Sequence, residues 1–274
     1  MITEEYVRTV IRKRWLDMHK GDCGKILVIA GSKGMAGAAL LCGKACFRAG
    51  AGLVRIAIDE ELYPIIQTAL PEATCVPRQL TKLDISEYHA IAVGPGLGNY
   101  PENEEIIEHI LTEYERTVVL DADGLNTLAL AGKVKLLRDT KAKVIITPHM
   151  GEARRLIPDS SETDRLKTVE MLIQEMGTIV VLKGADTIVA GAEHGFFTNT
   201  TGNPGMATGG SGDVLTGIIA AIAGQTKNPW DSAKTGVFIH GLAGDIASET
   251  FGEYGMTAMD IAEATAFAIK KIAG

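Results

Sequence analysis

A glycine-rich segment at residues 202–213, Gly-Asn-Pro-Gly-Met-Ala-Thr-Gly-Gly-Ser-Gly-Asp, has the residue types best suited to chemistry in this sequence. The apolar run that follows, residues 214–223, predicts a helix that begins at this segment. A helix N-terminus exposes backbone N–H groups and carries about half a positive charge, and glycine lets the main chain approach a phosphate closely. Asp213 would repel a phosphate bound there unless it takes a proton from a hydroxyl that attacks the phosphorus. The pattern therefore predicts a phosphoryl-transfer centre with Asp213 as general base.

Other glycine and polar residues follow apolar runs that predict strands, at residues 31–37, 94–98, 121–126, 147–152 and 183–187. In open α/β sheets ligands bind outside the carboxyl ends of the strands, so these segments are candidates for ligand contact. Each also has a purely structural interpretation. The glycine-rich segments suit tight turns, and one acid of 121–126 suits a helix cap. His149 suits a structural hydrogen bond, and Lys183 suits a solvated surface charge.

Short apolar runs alternate with helical patterns along most of the chain, which predicts an α/β protein with a parallel sheet and crossover helices. Strands are predicted at residues 25–30, 53–58, 90–93, 118–120, 144–147, 179–182 and 187–190. Helices are predicted at residues 37–49, 60–68, 102–113, 124–131, 151–157, 162–176, 212–223, 230–250 and 257–272. Asn228-Pro229 and Thr257–Asp260 are expected to begin the last two.

Composition narrows the classes of function. The formal net charge of −7 over 274 residues argues against a nucleic-acid or anionic-membrane partner. The chain has no run of roughly 18 apolar residues and no apolar segment near residue 1, so we expect no membrane span, no signal peptide and a cytoplasmic location. The four cysteines form no CxxC pair, which favours reduced structural thiols. No linker or repeat interrupts residues 1–274, and one domain is expected.

In sequence order, the motifs resemble those of the ADP- or ATP-dependent NAD(P)H-hydrate dehydratases of the ribokinase-like superfamily. The resemblance is carried by residues 34–39, 48–54, 94–98, 121–126, 147–152, 181–184, 201–213 and 240–245. Each motif alone has modest specificity, whereas the ordered set is specific. The resemblance implies a three-layer αβα sandwich with a central, mostly parallel sheet. It also implies a stand-alone dehydratase, without the fused epimerase domain that many family members carry in front.

The activity implied by this resemblance is repair of a damaged cofactor by a carbon–oxygen lyase. Hydrated NADH or NADPH, with a hydroxyl at C6 of the nicotinamide ring, is returned to NADH or NADPH at the expense of ADP or ATP. Hydroxide is a poor leaving group because the pKa of water is about 15.7. Phosphate is a better one because its second pKa is about 6. Phosphorylating the C6 hydroxyl therefore allows the ring nitrogen to expel it.

The resemblance also assigns roles to particular residues. Asp213 would deprotonate the hydroxyl, and the backbone amides of Gly210, Ser211 and Gly212 would hold the transferred phosphoryl group. The nucleotide would contact Lys183, Gly184, Ala185, Asp186, Thr187, Gly212 and Asn203. The hydrated cofactor would contact Ala39, Gly96, Gly98, His149, Asp213, Asp123 and Asn126. Mg²⁺ is expected to arrive with the nucleotide and to bind through phosphates and water, so no metal cage is expected from the protein.

Two other functions remain open from sequence. A small-molecule kinase of the same superfamily, of the thiazole or hydroxymethylpyrimidine type, would share the Gly-Ser-Gly-Asp centre but release a phosphorylated product. A nucleotide-sensing module would bind without turnover, although Asp213 beside a phosphate would then weaken binding. ADP is favoured over ATP because stand-alone members of the family are associated with ADP. The resemblance also suggests a homotetramer.

Overall fold

The centre of the protein is one sheet, seen in a computed structural model that describes residues 1–11, 13–79, 84–158 and 163–274. Within these ranges the strands are β1 (Lys25–Ile29), β2 (Leu53–Ile58), β3 (Thr74–Pro77), β4 (Ala90–Val93), β5 (Thr117–Leu120), β6 (Lys143–Ile146), β7 (Ile179–Leu182), β8 (Ile188–Gly191) and β9 (Gly195–Thr198). Their order across the sheet is β3-β2-β1-β4-β5-β6-β7-β8-β9. The pairs from β3 to β7 are parallel, whereas β7, β8 and β9 pair antiparallel.

Helices cover both faces of this sheet. They are α1 (Glu4–Val10), α2 (Ala36–Arg48), α3 (Tyr63–Ala69), α4 (Glu102–Glu113), α5 (Ala122–Leu130), α6 (Met150–Leu156), α7 (Arg165–Met176), α8 (Ser211–Thr226), α9 (Pro229–Gly255) and α10 (Ala258–Ala273). In the described part of the chain, no helix combines the length and the apolar character needed to cross a membrane.

Alternate residues of the central strands belong to two separate hydrophobic cores, because successive side chains of a strand point to opposite faces. In β1, Ile26 and Val28 pack with α1–α3 and α8–α10. Leu27 and Ile29 pack with α4–α7 on the other face. Strands buried on both faces explain the continuous apolar runs of the sequence. The result is the three-layer αβα sandwich that the sequence predicted.

The loops that carry the candidate residues meet at one edge of the sheet. The strand order reverses between β1 and β4, and ligands of open α/β sheets bind at such a point, outside the carboxyl ends of the strands. The loop after β1 contacts the loop after β4 there. The Gly31 amide donates to the Pro95 carbonyl at 2.8 Å, and the Ser32 hydroxyl donates to the Gly96 carbonyl at 2.9 Å.

The predicted strands are all present, with ends shifted by one residue at most, and the predicted helices that lie within the described residues are present with small shifts. Residue 162, the predicted start of one helix, lies outside the described residues, and that helix begins at Arg165. Three elements were missed. Strands β3 and β9 are only partly buried, and helix α1 is short, so their patterns were weak. Both expected helix starts, at Asn228 and Thr257, are confirmed.

The N-terminal segment closes the outer edge of the sheet. The Ile2 amide donates to the Thr198 carbonyl of the last strand, β9, at 2.9 Å. Helix α1 then begins at Thr3, whose hydroxyl accepts from the amide of Tyr6. Because α1 packs against α9 and α10, this segment covers both the strand edge and part of the helical layer.

Candidate functional site

The N-terminus of α8 has the geometry of an anion site. Gly210 precedes the helix with φ +92°, a conformation that favours glycine, and a Cβ there would lie 2.4 Å from the Leu41 side chain. The backbone amides of Gly210, Gly212 and Asp213 have no hydrogen-bond partner among the described residues. Such unpaired amides at a helix N-terminus attract phosphate. The glycines of the Gly-Gly-Ser-Gly sequence are therefore explained by the turn conformation and by the lack of space for a side chain at Gly210.

The Ser211 amide differs from the sequence-based expectation. It donates to the carbonyl of Thr208 at 3.3 Å, so it closes a turn before the helix and is not free for a ligand. Of the three amides expected to hold the phosphoryl group, the geometry leaves those of Gly210 and Gly212 available. The Asp213 amide, which was not predicted for this role, is also available.

Asp213 lies in the first turn of α8, close to several other charged groups. The pKa of its carboxyl is raised to about 7, chiefly by burial and then by the charge of Asp121, with Lys183 acting in the opposite direction. A carboxyl with a pKa near 7 is well matched to accepting a proton and releasing it again.

Asp121, at the carboxyl end of β5, joins α8 to the loop after β7. Its Oδ1 accepts from the Lys183 ammonium at 2.6 Å, and its Oδ2 accepts from the Thr216 hydroxyl at 2.7 Å. The next residue, Ala122, has φ +46°, a conformation that is costly for a non-glycine residue. Asp121 is only 1% exposed, so its side chain connects elements of the site and is not accessible to a ligand.

Lys183 is held by carboxylates rather than presented to solvent. Its Nζ lies 2.6 Å from Asp121 and 3.6 Å from Glu152. Burial alone would lower the pKa of Lys183, but the charges of these two carboxylates outweigh it and raise the pKa. A Cβ on Gly212 would lie 3.3 Å from the Nζ, so the lysine sits directly beneath the start of α8. The alternative of a solvated surface charge is wrong.

The rest of the loop at 183–187 is shaped by its own backbone and by a residue that sequence reasoning missed. Gly184 has φ +138° and Asp186 has φ +51°, and the Thr187 hydroxyl donates to the Gly184 carbonyl at 2.8 Å. Arg165 of α7 donates to the carbonyls of Ala185 and Leu182. The predicted contact of this loop with a nucleotide stays a prediction. Arg165 carries no local motif that could have identified it.

His149 is the N-cap of α6. Its Nδ1 accepts from the amides of Gly151 at 2.9 Å and Glu152 at 3.3 Å, while a Glu152 carboxylate oxygen accepts from the His149 amide at 2.8 Å. The structural interpretation of this histidine is therefore confirmed. The same arrangement fixes the ring with about half of the side chain exposed, so a ligand contact through Nε2 stays a prediction.

Asp123 and Asn126 position the loop after β4. Asp123 Oδ2 accepts from the Gly98 amide at 2.8 Å, and the Asn126 amide group bonds both to Asp123 and to Arg155. These side chains hold the loop in place from the α5 side. Their predicted contact with the hydrated cofactor would have to use polar atoms or lone pairs that these hydrogen bonds leave free. Gly98, with φ +72°, is packed so closely that a Cβ would lie 2.6 Å from the Tyr100 ring.

Gly96, in the loop after β4, and Ala39, in the first turn of α2, were both expected to contact the hydrated cofactor. Gly96 has φ +57°, and a Cβ there would lie 2.7 Å from Ala38, so the two loops approach each other through bare backbone. Ala39 was expected to contact the cofactor, but it is fully buried. Its Cβ faces Gly31, against which α2 packs. The Ala39 side chain therefore packs inside the fold, and the predicted contact of this residue with the hydrated cofactor stays a prediction; Gly37 is the exposed residue in the first turn of α2.

Asn203 shapes the segment that leads to α8. Its amide group donates to Asp245 of α9 at 3.1 Å, and its carbonyl oxygen accepts from the Gly205 amide at 3.0 Å. Asp245 also accepts from the Gly202 amide at 3.0 Å. Asn203 thus orders the loop, and because its amide nitrogen has a second hydrogen, the predicted contact with the nucleotide stays a prediction. Asp245 was noted in the motif at 240–245 but was not assigned a role.

A second residue of that motif, His240, contacts α8 directly. Its Nε2 lies 2.9 Å from the Ser211 carbonyl oxygen and 3.3 Å from the Ser211 hydroxyl. Burial lowers the pKa of His240 to about 4 despite the bond to Ser211, so the imidazole is neutral at physiological pH. Among the described residues, no cluster of three or more histidine, cysteine or acidic side chains could hold a metal ion.

These features define a phosphoryl-transfer site in an α/β protein. They are free amides at a helix N-terminus, a carboxyl with a pKa suited to proton exchange, and glycine loops where the strand order of the sheet reverses. A model of the NAD(P)H-hydrate dehydratase family matches residues 26–266. The chain therefore belongs to the NAD(P)H-hydrate dehydratase family.

Individual proteins named as NAD(P)H-hydrate dehydratases are also similar to this chain. The chain is 36% identical to an ADP-dependent (S)-NAD(P)H-hydrate dehydratase from Listeria monocytogenes, over 90% of this chain and 89% of that protein. A Bacillus subtilis ADP/ATP-dependent NAD(P)H-hydrate dehydratase, co-crystallised with ATP and Mg²⁺, superposes with a TM-score of 0.87 at 30% identity, covering 98% of this chain and 97% of that one.

Other relatives are longer proteins. The chain is 34% identical to a bifunctional NAD(P)H-hydrate repair enzyme Nnr from Moorella thermoacetica, over 99% of this chain but 54% of that protein. It thus spans about half the length of several curated relatives that it matches.

A hydroxyethylthiazole kinase and a ribokinase are more distantly similar. A hydroxyethylthiazole kinase from Pyrococcus horikoshii matches with a TM-score of 0.65 at 15% identity, over 96% of this chain and 92% of that one. A ribokinase from Thermotoga maritima matches with a TM-score of 0.56 at 15% identity, over 90% of this chain and 98% of that one. At this identity the likeness shows the fold alone, which is ribokinase-like.

Proposed function

We propose that this chain catalyses the ADP- or ATP-dependent dehydration of (6S)-hydrated NADH or NADPH to NADH or NADPH. The observation that carries the proposal is the carboxyl of Asp213, with its pKa raised to about 7, beside unpaired amides at the start of α8. Membership of the NAD(P)H-hydrate dehydratase family supports the choice of substrate. ADP is the preferred donor, in line with the Listeria relative named as ADP-dependent.

In the first step Asp213 takes the proton of the C6 hydroxyl as its oxygen attacks the terminal phosphorus of the nucleotide. One P–O bond forms, and the bond to the departing AMP or ADP breaks. The amides of Gly210, Gly212 and Asp213 hold the charge on the phosphoryl oxygens during the transfer. A magnesium ion bound to the nucleotide would neutralise part of the phosphate charge.

In the second step the ring nitrogen lone pair expels phosphate from C6. The C6–O bond breaks, and the neighbouring ring carbon loses a proton to restore the dihydronicotinamide. Hydrated NADH and ADP thereby give NADH, AMP, phosphate and a proton. Lys183, held by Asp121 and Glu152, keeps a positive charge beneath the start of α8 and so limits repulsion between Asp213 and the phosphates.

The surrounding loops would hold the two ligands. We assign the nucleotide to the loop at 183–187 and to the start of α8, and the hydrated ring to the loop at 94–98 and to His149. The continuous sheet from β3 to β9 supports a single domain for residues 1–274. The homotetramer and the cytoplasmic location also stay predictions, which light scattering and cell fractionation would test.

The direct test is to mix the protein with hydrated NADH, Mg²⁺ and ADP, and to follow the absorbance of the reduced nicotinamide together with phosphate release. We expect both to rise in equal amounts, and ATP to replace ADP less well. A phosphorylated product that accumulates without the chromophore would instead support the small-molecule kinase. Ligand binding without any turnover would support the nucleotide sensor.

Asp213→Asn sharpens this test. The variant lacks the general base, so we expect turnover to fall by a factor of roughly 10²–10⁴ while nucleotide binding persists. Asp139→Asn, which changes an exposed acid outside the site, is the matched control and should keep full turnover. Equal activity of the two variants would remove Asp213 from the mechanism.

A further inference from the structure

The anion site at α8 is short of one donor because of Ser211. Its backbone amide closes the turn to Thr208, so the first residue of the helix offers no N–H to a ligand. Its side chain nevertheless lies at the same helix terminus, between the free amides of Gly210 and Gly212 in sequence. A hydroxyl there can donate a hydrogen bond that the backbone cannot.

His240 determines which way that hydroxyl can donate. A carbonyl oxygen only accepts, so the contact of 2.9 Å with the Ser211 carbonyl requires a hydrogen on Nε2 of His240. The Ser211 hydroxyl lies 3.3 Å from the same nitrogen and can therefore only accept from it. No other hydrogen-bond acceptor for the Ser211 hydroxyl is found in the described part of the chain. The hydroxyl proton is left for a group bound in the site.

The position of His240 is itself fixed by close packing of α9. At the next residue, Gly241, a Cβ would lie 2.2 Å from the Thr201 hydroxyl, so the helix backbone rests directly on the loop at 199–202. The Thr201 hydroxyl also donates to the Phe238 carbonyl at 3.0 Å. His240 thus projects from a rigid element, and it has one short contact, to the first residue of α8.

We propose that the Ser211 hydroxyl donates a hydrogen bond to the transferred phosphoryl group and that His240 positions it. This inference rests on the proposed function, because it names a further donor for the same reaction. Ser211 is the group that touches the reacting atoms, and His240 acts through it. A histidine without charge suits this task because it fixes the hydroxyl without competing for the phosphate.

The main test uses Ser211→Ala, Ser211→Thr and the control Ser248→Ala, whose hydroxyl bonds only within α9, to the Asp245 carbonyl. Removing one donor to a developing anion lowers kcat by roughly 10²-fold or more, and loss of Ser211 is expected to do so with little change in KM. Ser211→Thr should keep most of the turnover, and Ser248→Ala should keep all of it. A kcat for Ser211→Ala within about twofold of the wild type would overturn the proposal.

The positioning role is tested with His240→Ala and His240→Gln. Glutamine can place an N–H near the position of Nε2, so we expect it to restore turnover that alanine loses. Replacing His240 by alanine should slow Ser211→Ala much less than it slows the wild type, because the hydroxyl that His240 positions is already absent and only the contact with the Ser211 carbonyl remains to be lost. Additive losses, or a glutamine variant as slow as the alanine variant at equal Tm, would remove His240 from this role.

These outcomes are distinct from a failure of the proposed function. If the unmodified protein fails to regenerate NADH, the dehydratase assignment fails before any variant is compared. If it regenerates NADH and Ser211→Ala does so at the same rate, the assignment stands and only the role of the hydroxyl is lost.

Discussion

Lys183 and Lys234 both have side chains that are largely shielded from solvent, and their surroundings are opposite. Lys183, beneath α8, is held by the carboxylates of Asp121 and Glu152, which raise its pKa. Lys234, on α9, is 5% exposed and lies among aromatic rings, with its Nζ 3.6 Å from the centre of the Tyr6 ring. The rings of Phe197 and Trp230 are 4.5 and 5.1 Å away.

The comparison shows two ways in which a protein stabilises a shielded ammonium group: with aromatic rings around Lys234 and with carboxylates around Lys183. Around Lys234, burial lowers the pKa of the ammonium and the aromatic rings supply attraction without a formal charge. That arrangement ties α1 to α9, and it includes the Tyr6 hydroxyl, which donates to Asp231. Around Lys183, paired carboxylates keep the ammonium charged and leave an excess of negative charge, which contributes to the raised pKa of Asp213. The region around Lys234 stabilises the fold, whereas the region around Lys183 raises the pKa of the proposed general base, Asp213.

The largest effect should come from Lys183→Met. It leaves Asp121 buried without its cation, which costs roughly 3–5 kcal/mol in the free energy of unfolding. It also removes the charge that lowers the pKa of Asp213, so the pKa should rise above 7 and turnover at pH 7 should fall by more than roughly tenfold. The pH–rate profile gives the check, since activity follows ionised Asp213 and its acid limb should move to higher pH. Lys141→Met, at an exposed site, is the control, and an unmoved acid limb would contradict the assignment.

A smaller effect is expected for the stability of Asp213→Asn. A carboxyl whose folded pKa is about 7, against 3.8 for the free group, is protonated more readily in the folded protein. The ionised form therefore destabilises the fold increasingly between these two values and fully above pH 7. Asparagine removes this cost, which is about 4 kcal/mol for a shift of roughly three pKa units, so Tm at pH 8 should rise by roughly 8 °C or more relative to the wild type. At pH 4 the two proteins should melt together. A variant that melts lower at pH 8 would mean that the ionised carboxylate is stabilised by its surroundings.

The smallest effect should come from Lys234→Met. Methionine keeps an apolar chain among the rings and loses the cation–π attraction, which is worth roughly 0.5–2 kcal/mol. We expect Tm to fall by a few degrees and kcat to remain unchanged, in contrast to Lys183→Met. Thermal unfolding and the nicotinamide assay on the same preparation give both values. A change in kcat without a change in Tm would break the contrast between the two regions.

Much of the fold was accessible from sequence because its signals are local. Apolar runs without polar alternation marked the central strands, and the pair Asn228-Pro229 marked the start of α9. The position of Asp213 at the start of a helix followed from glycines placed directly before an apolar run. Strand β9 escaped notice because its residues are exposed or only partly buried.

The site was less accessible because its contacts join distant parts of the chain. Lys183 and Asp121 are 62 positions apart, and no local pattern indicates that they pair. Whether an amide is free or closes a turn depends on the loop geometry, which is why the Ser211 amide was misassigned. The burial of Ala39 under the packing of α2 on the loop after β1 was likewise not visible in the sequence.

The bond from Ile2 to Thr198 has a consequence for the behaviour of the protein in concentrated solution. A last strand normally leaves a row of backbone groups that can recruit a strand from another molecule. Here the chain's own first residues occupy part of that row, next to a partly exposed Phe196. The Thr198 carbonyl is therefore not available to pair with a strand from another molecule.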